Sequence, residues 1–331
     1  MFERIKESIA YRLRTLHHRY FPLYSVKDED LQGRQYFGYV EKYNQEANDY
    51  ILKQLQMGDP LLVSKFGTTE LETMEDFYIK KENKISLLGY LNFITGKRTK
   101  LHVQGPILER LCMLSGFFPN DESLVEQFYC ENVSAIREID ILGSYQVNEY
   151  LFRKELKNAV RVNLDGYYAP FFYRNPWTKY LQGKKVLVIH PFSDDIQTQY
   201  AKRQLLWKDN EVLPNFNLIT YKAVQSIVGT KTEFPTWFEA LQKMRDDIKE
   251  IDFDVALVGC GAYGMPLAAY CKQMGKQAIH LAGWTQILFG IKGTRWDNNP
   301  RVSQYYNEHW IRPSAQNRLL GMEKVENGCY W

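Results

Sequence analysis

Apolar residues along this chain follow two signatures, short unbroken runs and longer stretches with helical spacing. The runs at 61–66, 184–192, 215–224, 255–258 and 278–281 predict buried strands. Between them, 36–57 carries Tyr39, Tyr43, Ala47, Tyr50, Ile51 and Leu55 on one side and predicts a helix stopped by Gly58-Asp59-Pro60. Leu71, Met74 and Phe77 mark a helix after the first run. Further helices are expected over 196–207, 237–251 and from the glycine turn to Met274. Residues 85–180 read as mostly helical, with short extended pieces such as 160–164. Strands alternating with helices predict an α/β fold with a mostly parallel, doubly wound sheet. Residues 1–57 read as a helical N-terminal extension and 58–331 as the α/β domain, with no internal repeat.

Composition narrows the class. The 331 residues suffice for a substantial core, and 23 Tyr, 18 Phe and 7 Trp make the chain rich in aromatics. A net charge of +3 with no basic stripe gives no sign of a nucleic-acid partner, and 96–100 (GKRTK) reads as a solvated loop. Cys112, Cys130, Cys260, Cys271 and Cys329 form no CxxC pair, which fits reduced thiols in the cytoplasm. No apolar run is long enough for a membrane span. The first segment does form a basic amphipathic pattern: Phe2, Ile5, Ile9, Leu13 and Leu16 lie at helical spacing among Arg4, Lys6, Arg12, Arg14 and Arg19. Such a helix either packs on the protein body or lies at an anionic membrane surface.

The most informative stretch is 254–296, where a strand runs into Gly259-x-Gly261-x-x-Gly264, then a helix and a second strand. That turn lets a backbone approach a phosphate-bearing ligand, although tight strand-to-helix turns need glycine without any ligand. The second strand ends at His280 with no carboxylate for a ribose, which weakens a dinucleotide reading. Neither a Walker motif nor a G-x-S-x-G elbow occurs. Three strand-end segments, 66–70, 190–195 and 259–264, are expected to line one cleft. Thr68 or Thr69 is expected to cap one helix, and Ser193, Asp194 or Asp195 another. His190 and His280 read as hydrogen-bonded core residues, while Tyr263 either stacks on a base or shields the turn.

The segment Lys65-Phe66-Gly67-Thr68-Thr69-Glu70, together with 259–296, resembles the GT-D type glycosyltransferases of bacterial capsule and O-antigen clusters. The resemblance implies a Rossmann-like fold and transfer from a UDP-sugar onto a glycan or lipid-linked glycan acceptor; the cysteines and the basic first segment add the expectation of a cytoplasmic protein, peripheral at the membrane if that segment meets it. UDP-galactofuranose is one donor it suggests. It implies donor binding by Lys65, Gly67, Thr68, Gly259, Gly261, Tyr263, Gly264, Lys292 and Arg295. It makes Glu70 a catalytic carboxylate and metal ligand. Where the family has an Asp, this chain has Thr68, a poor cage for Mn²⁺ or Mg²⁺. Inverting transfer would need a general base, for which Glu70, Asp194 and then Asp195 are candidates. Two rivals remain: an NAD(P)-dependent oxidoreductase, and a non-catalytic nucleotide-binding partner of another transferase.

Overall fold

The computed structural model describes residues 2–20, 26–27, 35–36, 40–82, 85–103 and 105–331. The chain opens with helix α1 (Phe2–Tyr20), then the short antiparallel pair β1 (Val26–Lys27) and β2 (Gln35–Tyr36). Helix α2 (Asn44–Met57) leads to β3 (Leu61–Ser64), α3 (Thr68–Lys81), α4 (Leu87–Ile94), α5 (Ile107–Arg110) and α6 (Val125–Arg137). Strands β4 (Ile141–Gly143) and β5 (Val160–Val162) follow, then α7 (Leu164–Tyr168), β6 (Lys185–His190) and α8 (Ser193–Ala201). The last third holds β7 (Asn217–Lys222), α9 (Trp237–Lys249), β8 (Val255–Val258), α10 (Gly264–Gln273) and β9 (Gln277–His280). Three short helices come after it: α11 (Trp284–Leu288), α12 (Thr294–Asp297) and α13 (Pro300–Ser303).

Seven strands form one sheet in the order β5-β4-β3-β9-β8-β6-β7, every pair parallel. The continuous apolar runs of β3, β6, β8 and β9 are explained by burial on both faces, whereas β7, at the sheet's edge, is only partly buried and corrects the expectation for 215–224. Leu61 and Val63 of β3, Val186 and Val188 of β6, and Val255 and Leu257 of β8 point into one core, beside Ile51 of α2 and Ile196 of α8. Their alternates Leu62, Leu187, Ile189, Ala256 and Val258 point into the other, beside Leu71 of α3, Phe128 of α6, Trp237 of α9 and Leu267 of α10. Period-two alternation thus feeds two helical layers, the arrangement of a doubly wound, Rossmann-like α/β fold.

Several boundaries differ from the sequence reading. Tyr39 lies outside the described residues, and α2 starts only at Asn44, because 41–42 run extended beside β5. Ala47, Ile51, Leu52 and Leu55 of α2 enter the sheet's own core, although their sequence places them with the N-terminal extension. Helix α3 is capped by Gly67 rather than a threonine side chain. Helix α8 already begins at Ser193 with Phe192 at its cap, so Asp194 and Asp195 stand in its first turn. Strand β4 was hidden inside the region read as helical.

Candidate functional site

All seven strands of the sheet end at one cavity of about 690 Å³, a volume usual for small-molecule sites. In sheet order, Asp165, Tyr145, Lys65, His280, Gly259, His190 and Ser226 line it, His280 and His190 as the last residues of their strands and the others shortly beyond theirs. The C-terminal region completes the wall with Arg295, Trp296, Arg301, Tyr330 and Trp331. Of the segments 66–70, 190–195 and 259–264 expected to line one cleft, 67–70, 190–192, 259–261 and Tyr263 do so, whereas Phe66, 193–195, Ala262 and Gly264 do not.

The floor lies where β3 and β9 adjoin. Glu70, in the first turn of α3, folds back so that its Oε2 would lie 2.0 Å from a Cβ placed on Gly67. That close approach explains glycine at 67. Desolvation raises the Glu70 pKa above the ordinary carboxylate range. Its own backbone N–H, the Lys65 charge and the Ser115 hydroxyl oppose the rise without cancelling it. Lys65 donates to the Phe66 carbonyl at 3.2 Å and sits 5.4 Å from the Tyr145 ring centre. Tyr145 in turn donates to the Phe66 carbonyl at 2.8 Å and lies 3.2 Å from the Thr68 hydroxyl.

Two buried imidazoles stand at the neighbouring strand ends. His190 accepts the Phe192 N–H on Nδ1 at 3.0 Å, and burial lowers its pKa to about 3. The ring is therefore neutral, with its proton on Nε2. His280 also titrates at about 3 because of burial, with Lys65 adding to the effect. Its Nδ1 meets the Ser64 hydroxyl at 3.0 Å, and its backbone carbonyl accepts from the Tyr167 hydroxyl. The expectation of hydrogen-bonded core histidines holds for both, yet both also border the cavity.

The glycine turn is built differently from the expectation. A Cβ on Gly259 would lie 2.4 Å from the Ala282 carbonyl oxygen, and one on Gly264 would lie 2.3 Å from His280 Nε2. Gly261 has φ +58° and presses on the Ser115 carbonyl. All three glycines are thus accounted for by contacts within the protein, and Gly264 does not reach the cavity. Tyr263 is buried at the cavity lining, with one ring face stacked on Trp237 at 5.0 Å and 8°. Trp284 and Tyr168, both also lining the cavity, stack on each other at 4.0 Å and 13°.

Other expected residues fall outside. Asp194 is on the surface, paired with Lys222 at 3.1 Å, and Asp195 is buried accepting from Ser314 N–H and Asn317 Nδ2 at 3.0 and 2.7 Å. Neither lines the cavity: Asp194 is turned to Lys222 at the end of β7, and Asp195 to Ser314 and Asn317. Lys292 lies 5.2 Å from the Tyr306 ring centre and is likewise absent from the lining. Arg295 does line it, paired with Glu326. The pair missed by the sequence reading is Arg301 with Asp165, 2.6 Å apart and both at the cavity.

A resident divalent metal does not fit these side chains. Thr68 turns its hydroxyl to Tyr145, while Asp165 and Glu326 are engaged by arginines, which leaves Glu70 as the one carboxylate facing Lys65. Among the described residues no group of three metal-ligating side chains occurs.

Backbone strain gathers here too. Leaving aside glycine and asparagine, positive φ among the described residues occurs at Val228, Ala282 and Glu326. Ala282 and Glu326 line the cavity, and Val228 follows the lining residue Ile227. Such strain persists where surrounding structure holds a functional geometry. No sequence pattern announces it. Comparison with known proteins gives no match: no family model, no curated protein and no solved structure matches the chain.

Proposed function

We propose that this chain is a cytoplasmic glycosyltransferase of the GT-D type, moving a sugar from a UDP-sugar to a hydroxyl of a bacterial surface glycan or its lipid-linked precursor. The observation that carries the reading is Glu70, a carboxyl with a raised pKa in the first turn of the helix after β3, lining a cavity of about 690 Å³. A carboxylate whose pKa is raised is a stronger base towards an acceptor hydroxyl than an ordinary one. In the proposed step that oxygen bonds to the anomeric carbon, the bond from that carbon to the diphosphate oxygen breaks, and Glu70 receives the hydroxyl proton. Inversion follows from this single displacement. Lys65 and Arg295 are the cations proposed to meet the departing diphosphate, and the His190 Nε2–H is a neutral donor lining the same cavity. The Trp284–Tyr168 stack offers a flat apolar wall to the base or sugar. The poor fit for a resident metal favours leaving-group stabilisation by these side chains alone.

Calorimetric titration with UDP, UDP-sugars and NADP⁺ tests the reading. UDP should bind and NADP⁺ should not; the reverse would abandon the transferase in favour of an oxidoreductase. Glu70→Gln should keep UDP affinity within about threefold and lower transfer by roughly 10²-fold or more. Unchanged transfer by a folded Glu70→Gln protein would remove Glu70 from the base role, and unchanged cellular glycan without measurable transfer would leave a nucleotide-binding partner. The wild-type rate should fall as pH drops through the raised Glu70 pKa, since the protonated carboxyl accepts nothing.

A further inference from the structure

Helix α1 buries its polar side. Ala10 joins a small core with Phe93 and Leu101, and Tyr11 meets Phe93 edge-on at 4.9 Å. Arg14 donates to the carbonyls of Phe93 and Arg98 at 2.7 Å, and Glu7 pairs with His102 at 2.9 Å. With 100° per residue, these positions occupy one side of the helix. Ile5, Ile9, Leu13 and Leu16 fall on the other side as one stripe, and they are 50, 51, 44 and 51% exposed. Helix α4, against which α1 packs, leaves Leu87, Leu88 and Leu91 exposed as well.

This is an apolar stripe turned away from the protein, and a folded protein rarely presents one without a partner. The charges beside it say which partner. Arg12 and Arg19 border the stripe on one side and Lys6 on the other, with Arg4 nearby, and all four are exposed. The helix's acidic Glu7 is turned inward to His102. Apolar centre and cationic margins match the boundary between acyl chains and anionic headgroups.

We propose that α1 docks the protein on an anionic lipid bilayer. Ile5, Ile9, Leu13 and Leu16 enter the interface, and Arg12, Arg19 and Lys6 meet lipid phosphates. The helix lies along the surface; among the described residues no helix is long and apolar enough to cross a membrane. This docking does not depend on the chemistry assigned to the cavity.

Flotation of the full chain with vesicles decides the matter. The protein should float with phosphatidylcholine vesicles containing phosphatidylglycerol and bind pure phosphatidylcholine about tenfold less or weaker. Added salt should release it. Ile9→Glu with Leu13→Glu should weaken binding by roughly tenfold or more, as should Arg12→Glu with Arg19→Glu. All four positions are exposed, so circular dichroism and UDP titration of both variants should match the wild type. Absence from anionic vesicles, or binding that survives both double variants, overturns the proposal. So does a concentration-dependent dimer that Ile9→Glu with Leu13→Glu dissolves, since the stripe would then be a contact between copies.

Discussion

Gly264 shows how one residue can carry a misleading signature. Its φ of −58° is ordinary helix, so no backbone argument demands glycine there. The demand comes from His280, whose ring is pinned through Nδ1 to Ser64 and would stand 2.3 Å from an added methyl. Gly264→Ala is therefore overpacking between two fixed elements and should lower stability by about 1–3 kcal/mol. Urea unfolding reads the loss, and UDP titration of the folded variant should show affinity near that of the wild type. Normal stability with weakened UDP binding would instead give the glycine back to the ligand. Glu70 is the opposite case: its position after an apolar run already marked it, and the fold places it at the cavity floor. Asp194 carried the same mark without the result. Acidic residues in a first turn are favoured by the helix itself, so sequence does not separate the two roles.

Elements were legible where one side-chain period dominated. Strands β3, β6, β8 and β9 are buried over most or all of their length, and an apolar run has little other reading. Strand β4 has only three residues, and its fate was settled by pairing between β3 and β5 rather than by its own composition. The segment behind it was also unreadable, because its order rests on one buried carboxylate. Glu149 accepts the N–H groups of Tyr145 and Gln146, both at 2.9 Å, and the Ser144 hydroxyl, and so fixes Tyr145 beside Lys65. Burial raises its pKa from 4.5 to about 7, against those hydrogen bonds and the Arg161 charge. A folded pKa above the unfolded one means that the native state holds the proton more tightly. Its stabilising contribution is thus full below pH 4.5 and is lost as pH rises towards 7. The displacement corresponds to roughly 3 kcal/mol at most. Glu149→Gln keeps an acceptor oxygen for the two N–H groups and removes the ionisation. Its stability relative to wild type should therefore improve between pH 5 and 7, measured by urea unfolding at each pH. A constant difference across that window would mean that Glu149 does not titrate there.

At the scale of the whole molecule, the cavity joins parts of the chain that sequence gives no reason to join. The sheet brings the strand ends together, a consequence of parallel topology and so foreseeable. The opposite wall comes from residues beyond 290, which have no strand and only short helices, so no periodicity forecast their place. What ties that wall to the sheet includes Arg301 of α13, reaching Asp165 of α7 at 2.6 Å across 136 positions of sequence. Asp165 is 2% exposed as a side chain, while Arg301 is at 32%. The arginine also lies 4.3 Å from the Phe172 ring centre. Removing the arginine takes this ion pair from a buried carboxylate, and Arg301→Ala should destabilise by roughly 3 kcal/mol. Asp165→Asn in the same chain removes the buried charge that has lost its arginine, so the double variant should be more stable than Arg301→Ala alone. That non-additivity is the signature of a charge pair rather than of two independent surface contacts. Urea unfolding of the four proteins measures it. Strictly additive losses would mean that the C-terminal wall is held by its aromatic packing and that the Arg301–Asp165 bridge contributes nothing to closing the cavity.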